Sequence, residues 1–149
     1  MSRIEKLLEE MGLPLPLPKA PVANYQGTKR CGNVLYVSGR VSEAQGVVGF
    51  DIDEEQAKLA ARDTMLDLLA IVKLDIGNLD KIVSIISMQG FVNSNSSFKT
   101  LPQVIDGASD LLISLYGESG KHARTATGIA QLPYGACIQI SMVVELENS

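Results

Sequence analysis

The segment from Asp53 to Gly77 constrains the fold most, because it carries the signals of a long amphipathic helix. Asp53 is a preferred capping residue, and Gln56 three residues later completes a capping box. Gly77 follows the last apolar position, where a glycine commonly ends a helix. Between these ends, apolar side chains recur at helical spacing: Ala57, Ala60, Ala61, Met65, Leu68, Leu69 and Val72. Such a helix buries one face against a second layer, so the flanking segments decide the fold class.

Strand patterns lie on both sides of this helix. Two predicted strands precede it, at Val22–Arg30 and Asn33–Arg40, and the turn around Gly32 predicts a hairpin. A short piece of strand is predicted at Gln45–Gly49. After the helix, Lys81–Val92 is rich in β-branched residues, which predicts a long strand.

A second helix and two further strands complete the chain. Thr100 and Gln103 repeat the capping pattern, and Pro102 is tolerated in a first helical turn. The buried stripe of this helix is predicted at Val104, Ile105, Ala108, Leu111, Leu112 and Leu115, with Gly117 beyond its end. Strands are predicted at Ala123–Gln131 and Ala136–Leu146. In the last strand one face is predicted to carry Ile138, Ile140, Met142, Val144 and Leu146.

The order β-β-(β)-α-β-α-β-β predicts an α+β fold. Both helices are expected on one face of a single mixed sheet, as a two-layer sandwich. The other face of the sheet also carries apolar residues, and two core helices cannot cover both faces. We therefore expect identical subunits to associate through that face.

The N-terminal residues 1–19 are predicted to form a helix and an arm, ahead of a single domain at 20–149. Ile4, Leu7, Leu8 and Met11 lie on one helical face, and Gly12 ends the helix. The following residues 13–18 alternate Leu and Pro and cannot be helical. We expect this arm to pack across the domain or onto a neighbouring subunit, rather than to serve as a recognition peptide.

Charge and composition exclude several classes of protein. A net charge of −4 argues against a nucleic-acid partner, since such proteins usually carry a basic face. The apolar runs are far shorter than the ~20 residues a membrane span needs, and Glu5 interrupts any signal-peptide core. The two cysteines, Cys31 and Cys137, match no metal-site spacing. Both are predicted to be buried, reduced thiols in a cytoplasmic protein.

Arg124 is the leading candidate for ligand binding. It opens a predicted strand among small residues, and its planar guanidinium can hold a carboxylate through two parallel hydrogen bonds. This predicts a small anionic metabolite as the ligand. The alternative is a salt bridge to an acidic residue of a neighbouring subunit.

Four blocks of sequence together resemble the YjgF/RidA family, also called the endoribonuclease L-PSP or chorismate-mutase-like group. They are Gly32–Gly39, the two core helices, and Arg124 with Leu132-Pro133 after it. The N-terminal helix and arm resemble the longer branch of the family. The resemblance implies a chorismate-mutase-like homotrimer with an inner barrel of sheets and ligand clefts between subunits. It also implies hydrolysis of reactive enamines and imines to 2-keto acids and ammonia, with no metal or organic cofactor.

The same resemblance implies roles for individual residues. Arg124 matches the arginine that holds the substrate carboxylate, and Tyr25 matches the site tyrosine. Ser38 and Gly39 match the residues whose backbone lines the pocket. Asp106 falls near a site asparagine of the family, although its spacing to Arg124 differs by one residue.

Gln139 departs from the family pattern. The compact members have a glutamate there that is thought to position the attacking water, whereas a neutral amide can orient water but cannot accept its proton. The leading hypothesis is a deaminase-like hydrolase of 2-iminopropanoate and 2-iminobutanoate. The alternative is a non-catalytic keto-acid binding or regulatory protein. An endoribonuclease or translation inhibitor is a third reading, against which the acidic charge counts.

The residue types and their neighbours indicate roles for four residues, and for Tyr25 and Arg40 two roles remain open. Tyr25 is expected either to stack on a substrate or to pack at an interface. Ser38 is not predicted as a nucleophile, because no His/Asp pattern accompanies it. His122 lacks a partner at metal-ligand spacing and is predicted to be a solvated loop residue. Arg40 replaces a glutamine that is common in the family, and would recognise a second acidic group or pair with Glu43.

Overall fold

The computed structural model describes residues 1–21 and 23–148, which form three α-helices and five strands. In chain order these are α1 (Arg3–Glu10), β1 (Thr28–Cys31), β2 (Val34–Val41), α2 (Glu54–Ile76), β3 (Ile82–Asn93), α3 (Leu101–Tyr116), β4 (Ala123–Ile129) and β5 (Ile138–Leu146). Short 3₁₀ turns precede β3, follow α3 and precede β5. No helix in the described part of the chain is long and apolar enough to cross a membrane.

The five strands form one mixed sheet in the order β1-β2-β5-β3-β4. β3 and β4 are parallel, and the other neighbours are antiparallel. α2 packs on β2 and β5, and α3 packs on β3 and β4. The predicted α+β sandwich, with two core helices on one face of the sheet, is therefore confirmed.

β5 lies at the centre of the sheet because it pairs with both β2 and β3. Its burial alternates strictly along the strand. The buried residues are the ones that the sequence pattern placed on one face: Ile138, Ile140, Met142, Val144 and Leu146. The sheet's other face carries exposed apolar side chains, among them Tyr36 on β2 and Ile86 on β3.

The ends of α2 form as predicted, but the start of α3 does not. The Asp53 side chain accepts a hydrogen bond from the Gln56 backbone, and the Gln56 side chain accepts one from the Asp53 backbone. Gly77 ends α2 with a φ of 83°, a conformation that favours glycine. Thr100 makes no side-chain cap on α3: its ψ of 51° is not the extended conformation of a usual N-cap, and its side chain points to α2, where the hydroxyl donates to the Glu54 carboxylate.

α2 and α3 cross so closely that only a glycine fits at the contact. A Cβ atom on Gly107 of α3 would lie 2.0 Å from the backbone oxygen of Lys58 on α2. The close contact brings the two helices into one layer over the sheet.

Two strand predictions were wrong in extent. The first strand is only Thr28–Cys31, because the chain bends before it: the Tyr25 N–H donates to the Ala23 carbonyl at 2.9 Å. Val22, the predicted start, lies outside the described residues. The segment Gln45–Gly49 makes isolated bridges, including Val48 with Ser94, rather than a strand.

The two cysteines differ in exposure. Cys137 is buried as predicted, and its burial raises the pKa of the thiol. Cys31 is exposed at the end of β1, so the prediction that it is buried was wrong. β1 is an edge strand, and that leaves its side chains accessible.

The N-terminal helix is anchored to the core. Ile4 and Leu8 are buried in the same apolar cluster as the sheet, whereas Met11, predicted on that face, is 44% exposed. The Asp80 carboxylate accepts hydrogen bonds from the first backbone N–H groups of α1, those of Arg3 and Ile4, at 2.8 and 3.0 Å. After α1 the arm packs its leucines 13 and 15 against the core.

Candidate functional site

An open cavity of about 820 Å³ lies between the arm, α2 and the ends of β2 and β5. It gathers four of the six predicted site residues: Tyr25, Ser38, Gly39 and Gln139. These residues come from three separate parts of the sequence, and the sheet brings them together.

A β-bulge presents Ser38 and Gly39 to this cavity. The β2–β5 register shifts between Val37 and Arg40, so the two residues oppose the single Ser141 on β5. Bulges of this kind redirect side chains and are frequent beside functional sites. The Ser38 hydroxyl donates its proton to the Gln26 carbonyl oxygen at 2.6 Å. The hydroxyl is therefore not bonded to a general base that could activate it as a nucleophile.

The Gln139 side chain lies across Gly39. A Cβ atom on Gly39 would be 3.5 Å from the Gln139 Nε2, an ordinary van der Waals distance, so the amide packs directly over the bulge. No hydrogen bond from another described residue reaches the Gln139 amide. Its donor and acceptor therefore remain available to a ligand or a water molecule.

A charged cluster closes one side of the cavity, and the sequence reasoning missed it. Lys19 of the arm places its Nζ 2.6 Å from Glu43 and 3.4 Å from Asp67 of α2. Burial raises the pKa of the Asp67 carboxyl, although the nearby Lys19 opposes that shift. The hydrogen bond with Lys19 lowers the pKa of Glu43. The sequence spacing of these residues does not predict the cluster, because only the path of the arm brings Lys19 close to α2.

Arg40 holds the arm in place. It is 8% exposed, and its guanidinium donates to the backbone oxygens of Lys19 at 2.5 Å and Ala20 at 3.2 Å. Its buried Nε has no hydrogen-bond partner among the described residues. The alternative that Arg40 pairs with Glu43 was wrong, because Glu43 is bonded to Lys19 instead.

Tyr134 forms part of the cavity rim in an unusual conformation. It has a φ of 59°, which non-glycine residues seldom adopt, and 69% of the residue is exposed. The Gln45 side chain fixes the turn by donating to the Tyr134 carbonyl at 2.8 Å. The Leu-Pro-x-Gly pattern at residues 132–135 predicts this turn, but it does not indicate that its third residue, Tyr134, borders the cavity.

Arg124 and Asp106 lie elsewhere in the chain and contact each other. The Arg124 Nη1 is 2.7 Å from the Asp106 Oδ1 and 3.1 Å from the Ser109 Oγ, and the Nη2 is 3.4 Å from the Pro102 carbonyl. Arg124 is on the edge strand β4, and two strands separate β4 from β2. Three strand spacings amount to about 14 Å, so a single chain does not bring Arg124 to the Ser38–Gly39 bulge.

His122 lies in the loop before β4, as predicted, but it is half-buried and bonded within the protein, so the prediction that it is solvated was wrong. Its Nε2 is 2.9 Å from the Ser109 Oγ, and its Nδ1 is 2.6 Å from the Gly120 carbonyl oxygen. Within the described residues no cluster of three or more His, Cys, Asp or Glu side chains is arranged to hold a metal ion.

The comparison with known families decides the classification. The sequence profile described as "YjgF/chorismate mutase-like, putative endoribonuclease" matches residues 5–146. The chain belongs to this family. It is 35% identical to the protein TCP17 of Trypanosoma cruzi, over 99% of the chain and 96% of that protein.

Two solved structures agree with that assignment to the YjgF family. Atu1372 from Agrobacterium tumefaciens, described as of unknown function, is 39% identical over 97% of the chain and 93% of its own, with a TM-score of 0.91. A "putative endoribonuclease" from Shewanella oneidensis is 30% identical, over 96% of the chain and 99% of its own, with a TM-score of 0.92. The family match begins at residue 5, so it includes most of α1 and the arm.

Proposed function

We propose that this YjgF-family protein is an enamine/imine deaminase-like hydrolase that converts small 2-imino acids to 2-keto acids and ammonia. The observation that supports this most is the Gln139 amide, to which no described residue bonds, beside the Ser38–Gly39 bulge on the wall of an open cavity. This cavity offers hydrogen bonds to a substrate and a water molecule. Arg124 would enter it from a second copy of the chain, in a homotrimer that covers the exposed apolar face of the sheet.

The ion pair with Asp106 leaves Arg124 able to bind a second carboxylate. Asp106 and Ser109 both use the Nη1, whereas the Nη2 makes one long contact of 3.4 Å and no described residue bonds to the Nε. The edge formed by Nε and Nη2 carries two parallel N–H groups, which is the geometry that binds a carboxylate in a bidentate manner. Asp106 thus orients the guanidinium while the other edge takes the ligand.

The proposed reaction needs no cofactor. Water adds to C2 of the protonated imine, and the C=N π electrons move to nitrogen to give a carbinolamine. The C–N bond then breaks, the hydroxyl proton is released, and a keto acid and ammonium remain. Because Gln139 cannot take the proton of the attacking water, the substrate nitrogen or solvent must accept it. The protein contributes positioning, with the carboxylate held by Arg124 and the water held by Gln139.

The test is ammonia release from 2-iminopropanoate or 2-iminobutanoate generated in situ. We expect an acceleration over buffer that Arg124→Ala abolishes and that Gln139→Glu increases. Lys121→Ala is the matched control, since it removes one nearby positive charge that pairs with Glu118. No acceleration at protein concentrations well above catalytic ones would reject this substrate class.

The second candidate is a non-catalytic protein that binds keto acids. The neutral Gln139 favours it, because the site then has a water-orienting group but no base. Thermal stabilisation by pyruvate or 2-ketobutyrate, lost in Arg124→Ala, would support binding, and the absence of turnover in the ammonia assay would separate it from the enzyme.

The third candidate, an endoribonuclease, comes with the description of the family. The net charge of −4 disfavours RNA binding, and both ring nitrogens of His122 are bonded within the protein. RNA cleavage that survives stringent purification and disappears in Arg124→Ala would favour this candidate over the other two.

A further inference from the structure

Three hydrogen bonds join the backbone at Gly120 to the guanidinium of Arg124. The Gly120 carbonyl oxygen lies 2.6 Å from the His122 Nδ1, and the His122 Nε2 lies 2.9 Å from the Ser109 Oγ. The same hydroxyl oxygen lies 3.1 Å from the Arg124 Nη1. The chain of contacts thus joins the turn after α3, the middle of α3 and the edge strand β4.

For a neutral imidazole, the two ends of this chain fix the direction of every hydrogen bond in it. The Gly120 carbonyl can only accept, so the His122 Nδ1 carries a proton and donates it. The Nε2 of the neutral ring is then an acceptor, and the Ser109 hydroxyl donates to it. Arginine can only donate, so the Ser109 oxygen accepts from Nη1. One arrangement of protons satisfies all four groups.

Burial makes this arrangement hard to replace. Ser109 is 5% exposed, so water cannot readily take the place of the histidine as the acceptor for its hydroxyl. If the ring were lost, the hydroxyl would turn toward another acceptor, and its lone pairs would no longer face Nη1. The Asp106 carboxylate, 41% exposed, and the long contact with the Pro102 carbonyl would then hold the guanidinium with less directional restraint.

We infer that His122 is a positioning residue for Arg124, acting through the Ser109 hydroxyl, so that the Nε–Nη2 edge is presented to a ligand carboxylate. This inference rests on the proposed role of Arg124 in binding carboxylates. His122 does not touch the substrate. It fixes the rotation of the guanidinium, in the way that residues behind a ligand group usually do.

The test compares the Kd for 2-ketobutyrate among wild type, His122→Leu, His122→Gln and Ser109→Ala. His122→Leu and Ser109→Ala should each weaken binding about tenfold, and the double variant should be no weaker than either alone. His122→Gln keeps an acceptor near the Nε2 position and should stay within about threefold of wild type. In an Arg124→Ala background, His122→Leu should change nothing further. A ligand affinity unaffected by His122→Leu, or additive losses in the double variant, would overturn the inference.

A second readout needs no ligand and keeps the inference separate from the proposed function. Nitrogen-15 NMR of the arginine side chains reports whether rotation of the Arg124 guanidinium is restricted. We expect restricted rotation in wild type and His122→Gln, and averaged signals in His122→Leu. If no keto acid binds the wild type, the proposed function fails. The NMR readout still tests the relay, by which we mean the hydrogen bonds from His122 through Ser109 to Arg124. Unrestricted rotation in wild type, or restricted rotation in the folded His122→Leu variant, would reject the relay itself.

Discussion

Replacing Gly107 by alanine tests the close crossing of α2 and α3. In an exposed helix, Gly→Ala stabilises by about 1 kcal/mol, because alanine loses less backbone entropy on folding. Here the new Cβ would lie 2.0 Å from the Lys58 carbonyl oxygen and 2.9 Å from its carbon, both backbone atoms. No change of side-chain rotamer relieves that contact, so α3 has to move away from α2 by more than 1 Å.

The cost of moving α3 decides whether Gly107→Ala raises or lowers the free energy of unfolding. Overpacking a well-packed core costs about 1–3 kcal/mol, and a backbone contact belongs at the upper end of this range. After subtraction of the helix-propensity gain, we expect Gly107→Ala to lower the free energy of unfolding by about 1–2 kcal/mol. For a chain of this size that corresponds to a fall in Tm of about 2–8 °C.

Urea unfolding followed by circular dichroism at fixed protein concentration measures the effect. Ser114→Ala is the matched control, since Ser114 is exposed on the same helix and its replacement should leave stability within about 0.5 kcal/mol of wild type. A Gly107→Ala variant as stable as wild type, or more stable, would show that the helices are not in contact at this point. Because α3 also carries Asp106 and Ser109, displacement of the helix should weaken keto-acid binding in parallel.

Three further predictions follow from contacts described above. Cys31 should react with a thiol reagent in the native protein, whereas Cys137, buried and with a raised pKa, should react only after denaturation; prompt reaction of both in native buffer would contradict the described burial. Because burial raises the pKa of Asp67 in the folded state, its contribution to stability is fully present below the unfolded pKa and is lost as the pH rises through the folded one. The free energy of unfolding of Asp67→Asn should therefore rise relative to that of wild type as the pH increases above about 4, the ordinary pKa of an aspartate, and a constant difference would refute the shift. Asp80→Ala should cost about 1–2 kcal/mol in urea unfolding by removing both hydrogen bonds to α1, whereas Asp63→Ala, an exposed carboxylate paired with the adjacent Arg62, should cost little.

The regular elements were predictable because their signals are local. The capping box at Asp53, the glycine at 77 and the alternation along 138–146 each depend on residues close in sequence, and each forms as expected. Thr100 shows where local rules fail: its backbone is not in the extended conformation of an N-cap, and its side chain points to α2, where the hydroxyl donates to the Glu54 carboxylate.

The candidate site was predictable in part. The family pattern identifies residues 25, 38, 39 and 139, and the fold places these together in the cavity. The cluster of Lys19 with Asp67 and the relay through His122 were not predictable. Each joins residues whose separation in sequence has no period or motif, and only tertiary packing brings them within bonding distance.

Arg40 donates hydrogen bonds to the backbone oxygens of residues 19 and 20. These bonds hold the amino-terminal segment against the domain, where it forms one wall of the cavity. Removing that segment would take Lys19 away and widen the cavity toward α2. We therefore expect binding of the proposed ligand to depend on residues 1–20, although the four family-matched cavity residues lie elsewhere in the chain.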